Sequence, residues 1–226
     1  MTKATNTANI RAAGHAPART SGSPSPARRT RMSPEARSAQ ILDVAEELFC
    51  AHGFEGTSIE DVANAAGITR PVVYAHYSDK DELFLACVRR VRADMGKNLA
   101  EVEVMIRAGA NIITVIERAG AFFFTTLERN PRRWMTLFNP STGLSEDLDK
   151  RLNALRRKTI EQIASVTRQV FPDDEARSTA FAYAISGVGE QIGRWWLDNP
   201  EIARDDAITY YREFIERGLG ISRSCT

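Results

Sequence analysis

Residues 67–83, GITRPVVYAHYSDKDEL, contain an unusual density of long polar side chains. Five donors of hydrogen bonds fall within eleven residues, around the apolar pair Val72–Val73: Arg70, Tyr74, His76, Tyr77 and Lys80. Such groups donate to anionic or carbonyl oxygens, and an arginine can bind two acceptors at once. A core would exclude them, and a plain solvated helix face would use glutamate and lysine. The segment is therefore predicted to form a polar surface that contacts phosphates.

Three short helices are predicted to position this segment. The first runs from Ser33-Pro34 to Gly53, with apolar residues on one face. Thr57 followed by Glu60 predicts a capping box that begins the second helix, which Gly67 ends by accepting a positive φ. Two helices joined by such a tight turn, with a third as a brace, are typical of a helix-turn-helix.

The third helix is predicted to begin at the N-cap Thr69, with Pro71 in its first turn, and to end near Tyr77. A Ser78-x-x-Asp81 cap predicts a fourth helix from Lys80 to about Met95. In a helix-turn-helix the third helix lies in the major groove of DNA, which would explain its crowd of donors.

Residues from about 38 to 84 resemble the DNA-binding domain of the TetR family of bacterial transcriptional regulators. The resemblance covers about a fifth of the chain and rests on these residues in register: Ile41-Leu42, Ala45, Leu48-Phe49, Gly53, Thr57-Ser58, Val62-Ala63, Ala66-Gly67, Thr69-Arg70, Val73-Tyr74, His76-Tyr77, Lys80 and Leu83. It implies a double-stranded DNA operator as partner.

The resemblance assigns roles to individual residues. Tyr74, His76 and Lys80 stand where the family contacts phosphates, and Thr57 caps a helix whose amides can face the DNA backbone. The positions expected near bases are Thr69, Arg70, Pro71, Val72 and Ala75. Among these, Arg70 can make a bidentate contact with guanine. The alternatives are that Tyr74 and Tyr77 are core aromatics, that His76 is an ordinary surface histidine, and that Arg70 pairs with Asp61.

The charge distribution complicates DNA binding. Residues 33–82 contain ten acidic and three basic residues, a net charge of −7, although the whole chain is at +1. Residues 1–37 carry seven basic residues and one acidic residue, net +6, and the composition of residues 1–32 predicts a disordered basic arm. We hypothesise that Arg28, Arg29 and Arg31 of this arm, with Arg37, supply electrostatic attraction to DNA. The alternatives are a solubilising tail and an organelle transit peptide.

The rest of the chain also has helical periodicity, with long helices predicted over 145–171 and 173–198 and a last one after Asn199-Pro200. The fold class is therefore all-α. With the resemblance, it implies a three-helix helix-turn-helix domain at 33–80 and a larger helical domain at 81–226 that binds a ligand and dimerises. Asn130-Pro131 predicts a further helix start.

Two groups of candidate residues follow in the larger domain. The predicted ligand-binding set is Met105, Ile112, Ile116, Phe123, Trp134, Phe138 and Glu190. Its aromatic members could equally be plain core. Small side chains on one stripe, joined by residues of the last helix, form the predicted interface of a homodimer: Ser186, Gly189, Gly193, Tyr211, Phe214 and Ile215.

Other function classes find little support. The three cysteines show no metal-ligand spacing and suit a reducing cytoplasm, no stretch is long enough to span a membrane, and neither a cofactor nor a secretory leader is expected. All three histidines lie outside residues 81–226, so we expect no enzyme there. The resemblance implies a ligand-responsive regulator, a repressor released from its operator by a small apolar or aromatic effector. An activator, or a helical adaptor protein that has lost specific DNA binding, is the alternative.

Overall fold

A computed structural model describes residues 32–129, 131, 134 and 144–221, and over these ranges the chain forms eight helices and no strand. The helices are α1 Pro34–His52, α2 Ile59–Ala65, α3 Arg70–Tyr74, α4 Lys80–Arg107, α5 Ile112–Arg129, α6 Glu146–Thr167, α7 Glu175–Leu197 and α8 Arg204–Leu219. The all-α prediction is confirmed. The described residues from Ser33 onwards form one compact unit, and the proposed division after residue 80 stays a prediction. The arm residues Arg28, Arg29 and Arg31, the cap at Asn130 and the candidate Phe138 lie outside the described residues.

The first two helices begin and end for local reasons. Ser33 caps α1 by accepting a hydrogen bond from the Ala36 amide, and Gly53 ends the helix with φ 72°. The predicted capping box of α2 is wrong by one residue, because Ser58 and Asp61 form it. Thr57 precedes the N-cap, and its hydroxyl donates to the Gly53 carbonyl oxygen at 2.9 Å.

The turn between α2 and α3 is as predicted, and α3 is shorter than predicted. Gly67 has φ 65°, a conformation that glycine adopts without strain. α3 ends at Tyr74 instead of near Tyr77, because the last amides close a tighter turn in which His76 N–H donates to the Val73 carbonyl at 3.0 Å. Thr69 holds the N-cap position of α3 without a side-chain capping bond.

Two later helix starts also differ from prediction. Asp79, not Ser78, caps α4 by accepting from the Glu82 amide at 2.7 Å, and α4 continues to Arg107, well past Met95. The last helix begins at Arg204 instead of after Asn199-Pro200. The Asn199 side chain closes the preceding helix by donating to the Trp195 carbonyl at 2.6 Å, so it does not open the next one.

Helix α4 packs against α1 at one end and against α5 and α6 further along. At the first contact Phe84 of α4 meets Phe49 of α1 edge-on, with ring centroids 5.0 Å apart, and Phe54 lies 5.1 Å from Phe84. Beyond it α5 packs against α8, and α6 packs against α7. None of the helices in the described ranges has both the length and the apolarity needed to cross a bilayer.

Candidate nucleic-acid interface and apolar cavity

The short helix α3 presents most of the predicted DNA-contacting residues to solvent. Five of them are exposed and form what we call the α3 surface: Thr69, Arg70, Pro71, Tyr74 and Ala75. The predicted contacts Val72, His76 and Lys80 are half-buried. Val73 is completely buried and anchors the helix to the core of α1 and α2. The α3 surface is therefore rigidly supported and open on its outer side.

The two tyrosines of this region have different environments. Tyr74 is 44% exposed, whereas Tyr77 is 8% exposed. The Tyr77 hydroxyl lies 2.7 Å from that of Ser38 on α1, and burial raises the pKa of Tyr77. The core alternative is thus confirmed for Tyr77 and wrong for Tyr74.

Arg70 pairs with Glu60 instead of Asp61, the partner considered from the sequence. Its guanidinium lies 3.7 Å from the Glu60 carboxylate, while Asp61 is occupied by hydrogen bonds from Ser58 that hold the pKa of this carboxyl below its usual range. Both Arg70 and Glu60 are more than half exposed. Exposed pairs of this kind stabilise a protein by about 0–1 kcal/mol, so the guanidinium can exchange Glu60 for another acceptor at little cost.

Two predicted DNA contacts are held by the protein itself. The Lys80 ammonium donates to the Phe54 carbonyl oxygen at 3.1 Å and lies 4.2 Å from the centre of the Phe54 ring. An ammonium has three donors, so Lys80 can also reach outwards. Thr57 is 2% exposed, and its hydroxyl points to Gly53. The structure therefore gives the Thr57 side chain an internal role instead of the predicted one at the DNA.

Arginines from beyond residue 82 compensate part of the acidic excess around α1–α3. Arg90 lies 2.5 Å from the Asp43 carboxylate and 3.8 Å from that of Glu46. Glu82 accepts hydrogen bonds from Arg89, at 2.6 Å, and from Arg151 of α6. Three of the ten acids are thus paired with cations that the charge count of residues 33–82 omits. Sequence spacing offers no signal for Arg151, which is 69 residues from its partner.

An apolar cavity of about 110 Å³ lies between α4, α5, α6, α7 and α8. Of the predicted ligand-binding residues, the lining includes Ile112, Ile116, Phe123, Trp134 and Glu190. Met105 is half-buried and does not belong to the lining, so that prediction is wrong. Phe123 makes edge contacts with Phe124 and Trp134, each with ring centroids 5.1 Å apart. Aromatic rings therefore serve as both core and cavity wall.

One end of the cavity is polar and contains Arg92, which is not among the ligand-binding residues predicted from the sequence. The Arg92 guanidinium donates to the Thr159 hydroxyl at 3.0 Å. Burial, followed by the charge of nearby Arg156, lowers the pKa of Arg92 to about 10, while Glu190 acts in the opposite direction. Arg92 follows Val88 by four residues and Val91 by one, which places it beside the apolar face of α4. This spacing could have predicted from the sequence that Arg92 is partly buried.

The predicted dimer residues lie mostly inside one protomer, and this prediction needs correction. Gly189 and Ser186 line the cavity, as do Tyr211 and Ile215. A Cβ atom at Gly193 would lie 2.6 Å from Leu127 Cδ2. The small residues of α7 thus allow α5 of the same chain to pack closely against it. They do not form a surface for a second protein chain. Phe214 alone of the set is exposed, at 58%.

An exposed aromatic patch on α7 and α8 contains Phe214 of the predicted dimer set together with aromatic residues that were not predicted. It consists of Trp195 on α7 and Tyr210 and Phe214 on α8, each at least 43% exposed. Trp195 and Tyr210 touch, with ring centroids 6.2 Å apart. On α8 the two rings of Tyr210 and Phe214 lie about one turn apart at i, i+4 spacing, a sequence signal that could have identified this face. Large exposed apolar patches mark interaction sites.

No group of three or more histidine, cysteine or acidic side chains that could hold a metal ion occurs among the described residues.

Comparison with known proteins agrees with this arrangement. Residues 41–87 match the sequence pattern of the family described as bacterial regulatory proteins, tetR family. The HTH-type transcriptional activator FasR of Mycolicibacterium smegmatis is 22% identical over 193 residues, which cover 85% of this chain and 87% of FasR. Its name states that it activates transcription.

Two solved structures show that the similarity extends over the helical fold. A TetR-like transcriptional regulator from Rhodococcus sp. RHA1 is 26% identical, with a TM-score of 0.68 over 85% of this chain and 100% of that one. FadR of Bacillus subtilis, solved with stearoyl-CoA, shares the fold at 14% identity, with a TM-score of 0.66 over 82% of this chain and 99% of FadR. Residues 41–87, which contain the helix-turn-helix at α2–α3, thus match the tetR family of bacterial regulatory proteins, and the remaining helices share the fold of TetR-like transcriptional regulators.

Proposed function

We propose that the protein is a ligand-responsive transcriptional regulator that binds its operator through the α3 surface and is a repressor released by a small effector in the cavity. The observation that carries the proposal is the course of α4, which is buried against α1 at one end and forms a wall of the cavity at the other. One rigid helix therefore connects the two sites.

At the DNA, Arg70 is the candidate for base recognition and Tyr74 for a phosphate contact. Among the residues of the α3 surface, Arg70 has the side chain whose guanidinium can donate two parallel hydrogen bonds to the two acceptors of guanine. Pro71 and Ala75 offer only apolar contact, which suits thymine methyl groups. His76 and Lys80 stand at the edge of the α3 surface as further phosphate donors, and the Arg28–Arg31 segment would add attraction from outside the described residues.

Operator binding requires two copies of the chain, because two recognition helices can read half-sites about 34 Å apart. The exposed aromatic patch of α7 and α8 is the proposed dimer interface and replaces the set predicted from sequence. Aromatic residues are enriched in such interfaces, and a two-fold axis would bury the same three rings of each protomer against the other.

The effector is proposed to release the operator by favouring a different position of α4. An effector changes DNA binding only as far as its affinity differs between the two protein states, so effector and operator must weaken each other equally. The cavity walls are aliphatic and aromatic, which suits an apolar chain or ring. The stearoyl-CoA bound by FadR is consistent with such a ligand on this fold.

The test is fluorescence anisotropy of the purified full-length chain with DNA from upstream of its own gene, at several salt concentrations. Arg70→Ala should weaken specific binding by about 10- to 100-fold and relax base preference at one position. Tyr74→Phe should weaken all sequences alike, by roughly fivefold. Arg107→Ala removes a more exposed arginine at the far end of α4 and should change nothing.

Further controls separate the alternatives. Removing residues 1–31 should reduce affinity and flatten its salt dependence, and unchanged values would make the arm a solubilising tail. If neither upstream DNA nor a selected random pool binds better than bulk DNA, the adaptor alternative replaces the regulator. A promoter fusion distinguishes a repressor from an activator such as FasR. A regulator of this type acts in the bacterial cytoplasm, at the nucleoid, and needs no catalytic activity.

A further inference from the structure

Five hydroxyl groups among the described residues line the apolar cavity, and four of them already donate within the chain. Each of these four donates a hydrogen bond to an oxygen atom of another residue: Thr126 to Phe122, Thr159 to Leu155, Thr167 to Ser178 and Ser186 to Glu190. The fifth hydroxyl belongs to Tyr211, and over the described residues it has no hydrogen-bond partner. Its proton is therefore available to a ligand.

Tyr211 is held firmly between α5 and α7. A Cβ atom at Gly120 of α5 would lie 3.1 Å from Tyr211 Cδ1, and one at Gly189 of α7 would lie 3.6 Å from Tyr211 Cε2. The ring also stacks on Phe123, with centroids 6.5 Å apart, and meets Phe124 edge-on at 5.8 Å. Tyr211 is only 8% exposed. Packing on several sides thus fixes the ring, and with it the position of the hydroxyl at its tip.

A buried hydroxyl without an acceptor is unfavourable. Tyr77, which is equally buried, has the Ser38 hydroxyl as its partner. Tyr211 pays the desolvation cost without such a bond, and burial raises its pKa well above the usual range, so the hydroxyl keeps its proton at neutral pH. An acceptor oxygen on a bound molecule would supply the hydrogen bond that the described residues do not provide.

We infer that the effector is a neutral carbonyl compound whose oxygen accepts a hydrogen bond from the Tyr211 hydroxyl and whose apolar ring or chain packs against the aromatic wall of the cavity. This inference rests on the proposed function, since it takes the cavity to be the effector site. One donor satisfies a carbonyl oxygen. A carboxylate has two charged oxygens with about four acceptor sites, which one hydroxyl in apolar surroundings does not satisfy.

The size of the cavity limits the apolar part. Its volume of about 110 Å³ is similar to that of an engineered protein cavity of about 150 Å³ that binds benzene. A single ring with a small substituent fits without rearrangement. A longer chain must separate the helices of the wall.

The binding experiment uses acetophenone and α-methylstyrene, which have nearly the same shape but carry a carbonyl oxygen and a methylene group, respectively. Calorimetry on the full-length protein compares the unmodified chain with Tyr211→Phe. The substitution should weaken acetophenone binding about five- to tenfold and should leave α-methylstyrene binding unchanged or tighter. Because each probe is compared with itself, its own hydration cancels. Tyr183→Phe removes an exposed hydroxyl from α7 and should change neither affinity.

Infrared difference spectra of bound acetophenone report the hydrogen bond directly. A carbonyl group that accepts a hydrogen bond absorbs at lower frequency than a free one. The shift to lower frequency should be present in the unmodified protein and in Tyr183→Phe, and it should be lost in Tyr211→Phe. A purely structural effect of the substitution would not produce this pattern.

The stability of the protein without ligand gives an independent test. Tyr211→Phe removes a buried hydroxyl that has no partner, so Tm should stay unchanged or rise by up to about 3 °C. A fall in Tm by more than about 2 °C would show that the hydroxyl already donates within the folded protein. That result would overturn the inference.

Equal effects of Tyr211→Phe on the two probes would also overturn the inference, as would the absence of saturable acetophenone binding to the unmodified protein. Tighter binding of benzoate than of acetophenone would reject a neutral ligand. Anisotropy on the DNA complex separates these results from the proposed function. Acetophenone that binds through Tyr211 without releasing DNA would support the carbonyl site and reject its effector role. Release of DNA by α-methylstyrene and acetophenone alike, unaffected by Tyr211→Phe, would support the regulator and reject the carbonyl site.

Discussion

The hydroxyl oxygens of Ser38 on α1 and Tyr77, just beyond α3, lie 2.7 Å apart, although the residues are 39 positions apart in sequence. This hydrogen bond ties the end of the recognition segment to the helix that braces it. Tyr74, three residues earlier, faces solvent. One tyrosine of the pair therefore supports the α3 surface, and the other belongs to it.

Exchanging each tyrosine for phenylalanine should separate these roles. Tyr77→Phe removes a partly buried hydrogen bond and should lower the free energy of unfolding by about 1 kcal/mol, with little change in DNA affinity at low temperature. Tyr74→Phe should leave stability unchanged and weaken DNA binding. Urea denaturation and anisotropy on the same samples check both. Equal stability losses for the two variants would contradict the assignment.

The exposed aromatic patch predicts how the protein associates. Phe214→Asp places a charge in the proposed interface and should shift the protein from dimer to monomer at micromolar concentration, with loss of operator binding. Val104→Asp is the matched control, because Val104 is equally exposed, at 56%, but lies on α4 outside the patch. Analytical ultracentrifugation gives the stoichiometry. A dimer that survives Phe214→Asp unchanged would move the interface elsewhere.

Gly193 lies where α7 packs closely against α5. An alanine there brings Cβ to 2.6 Å from Leu127 Cδ2 and 3.2 Å from a Phe123 ring carbon, so we expect destabilisation by about 1–3 kcal/mol despite the better helix propensity of alanine. Gly96→Ala on α4 meets nothing within 4 Å and should stabilise by up to about 1 kcal/mol. Thermal unfolding compares the two. A rise in Tm for Gly193→Ala would show that α5 can move away freely.

The N-cap of α4 predicts part of the acid sensitivity. The hydrogen bond from the Glu82 amide holds the pKa of Asp79 below the ordinary aspartate value of 3.8. Because the folded-state pKa is depressed, Asp79 contributes its stability above the unfolded-state value and loses it as pH falls through the folded-state value. Asparagine also caps helices but does not titrate. Asp79→Asn should therefore lose less stability than the unmodified chain when denaturation at pH 6 and at pH 2 is compared, and equal losses would exclude this role.

Features fixed by a few neighbouring residues could be predicted from the sequence. The turn at Gly67, the start of α1 at Ser33 and the polar crowding after Arg70 all depend on local geometry and residue type. The caps of α2 and α4 were displaced by one residue because Thr57 and Ser58, like Ser78 and Asp79, are adjacent residues that can both cap. The choice between them depends on contacts such as that of Thr57 with the Gly53 carbonyl.

Features that depend on which helices meet could not be predicted in this way. Periodicity identified the small-residue stripe around Gly189 and Gly193, but such a stripe admits a helix from the same chain as readily as one from a partner. Likewise, the pairing of Glu82 with Arg151 needs α6 to lie beside the start of α4. The sequence of a helix shows which of its faces is apolar, but it does not show which other helix packs against that face.

The length of α4 has a mechanical consequence. Its 28 residues extend over about 42 Å, and Arg92 lies about 18 Å along the axis from Lys80. If the helix pivots at Arg92, a tilt of about 5° displaces Lys80, and the helix-turn-helix packed beside it, by roughly 1.6 Å. In a two-fold dimer the opposite displacements add to roughly 3 Å, close to the rise of about 3.4 Å per base pair. A rotation that shifts the cavity wall only slightly would thus put the two recognition helices nearly one base-pair step out of register with their half-sites.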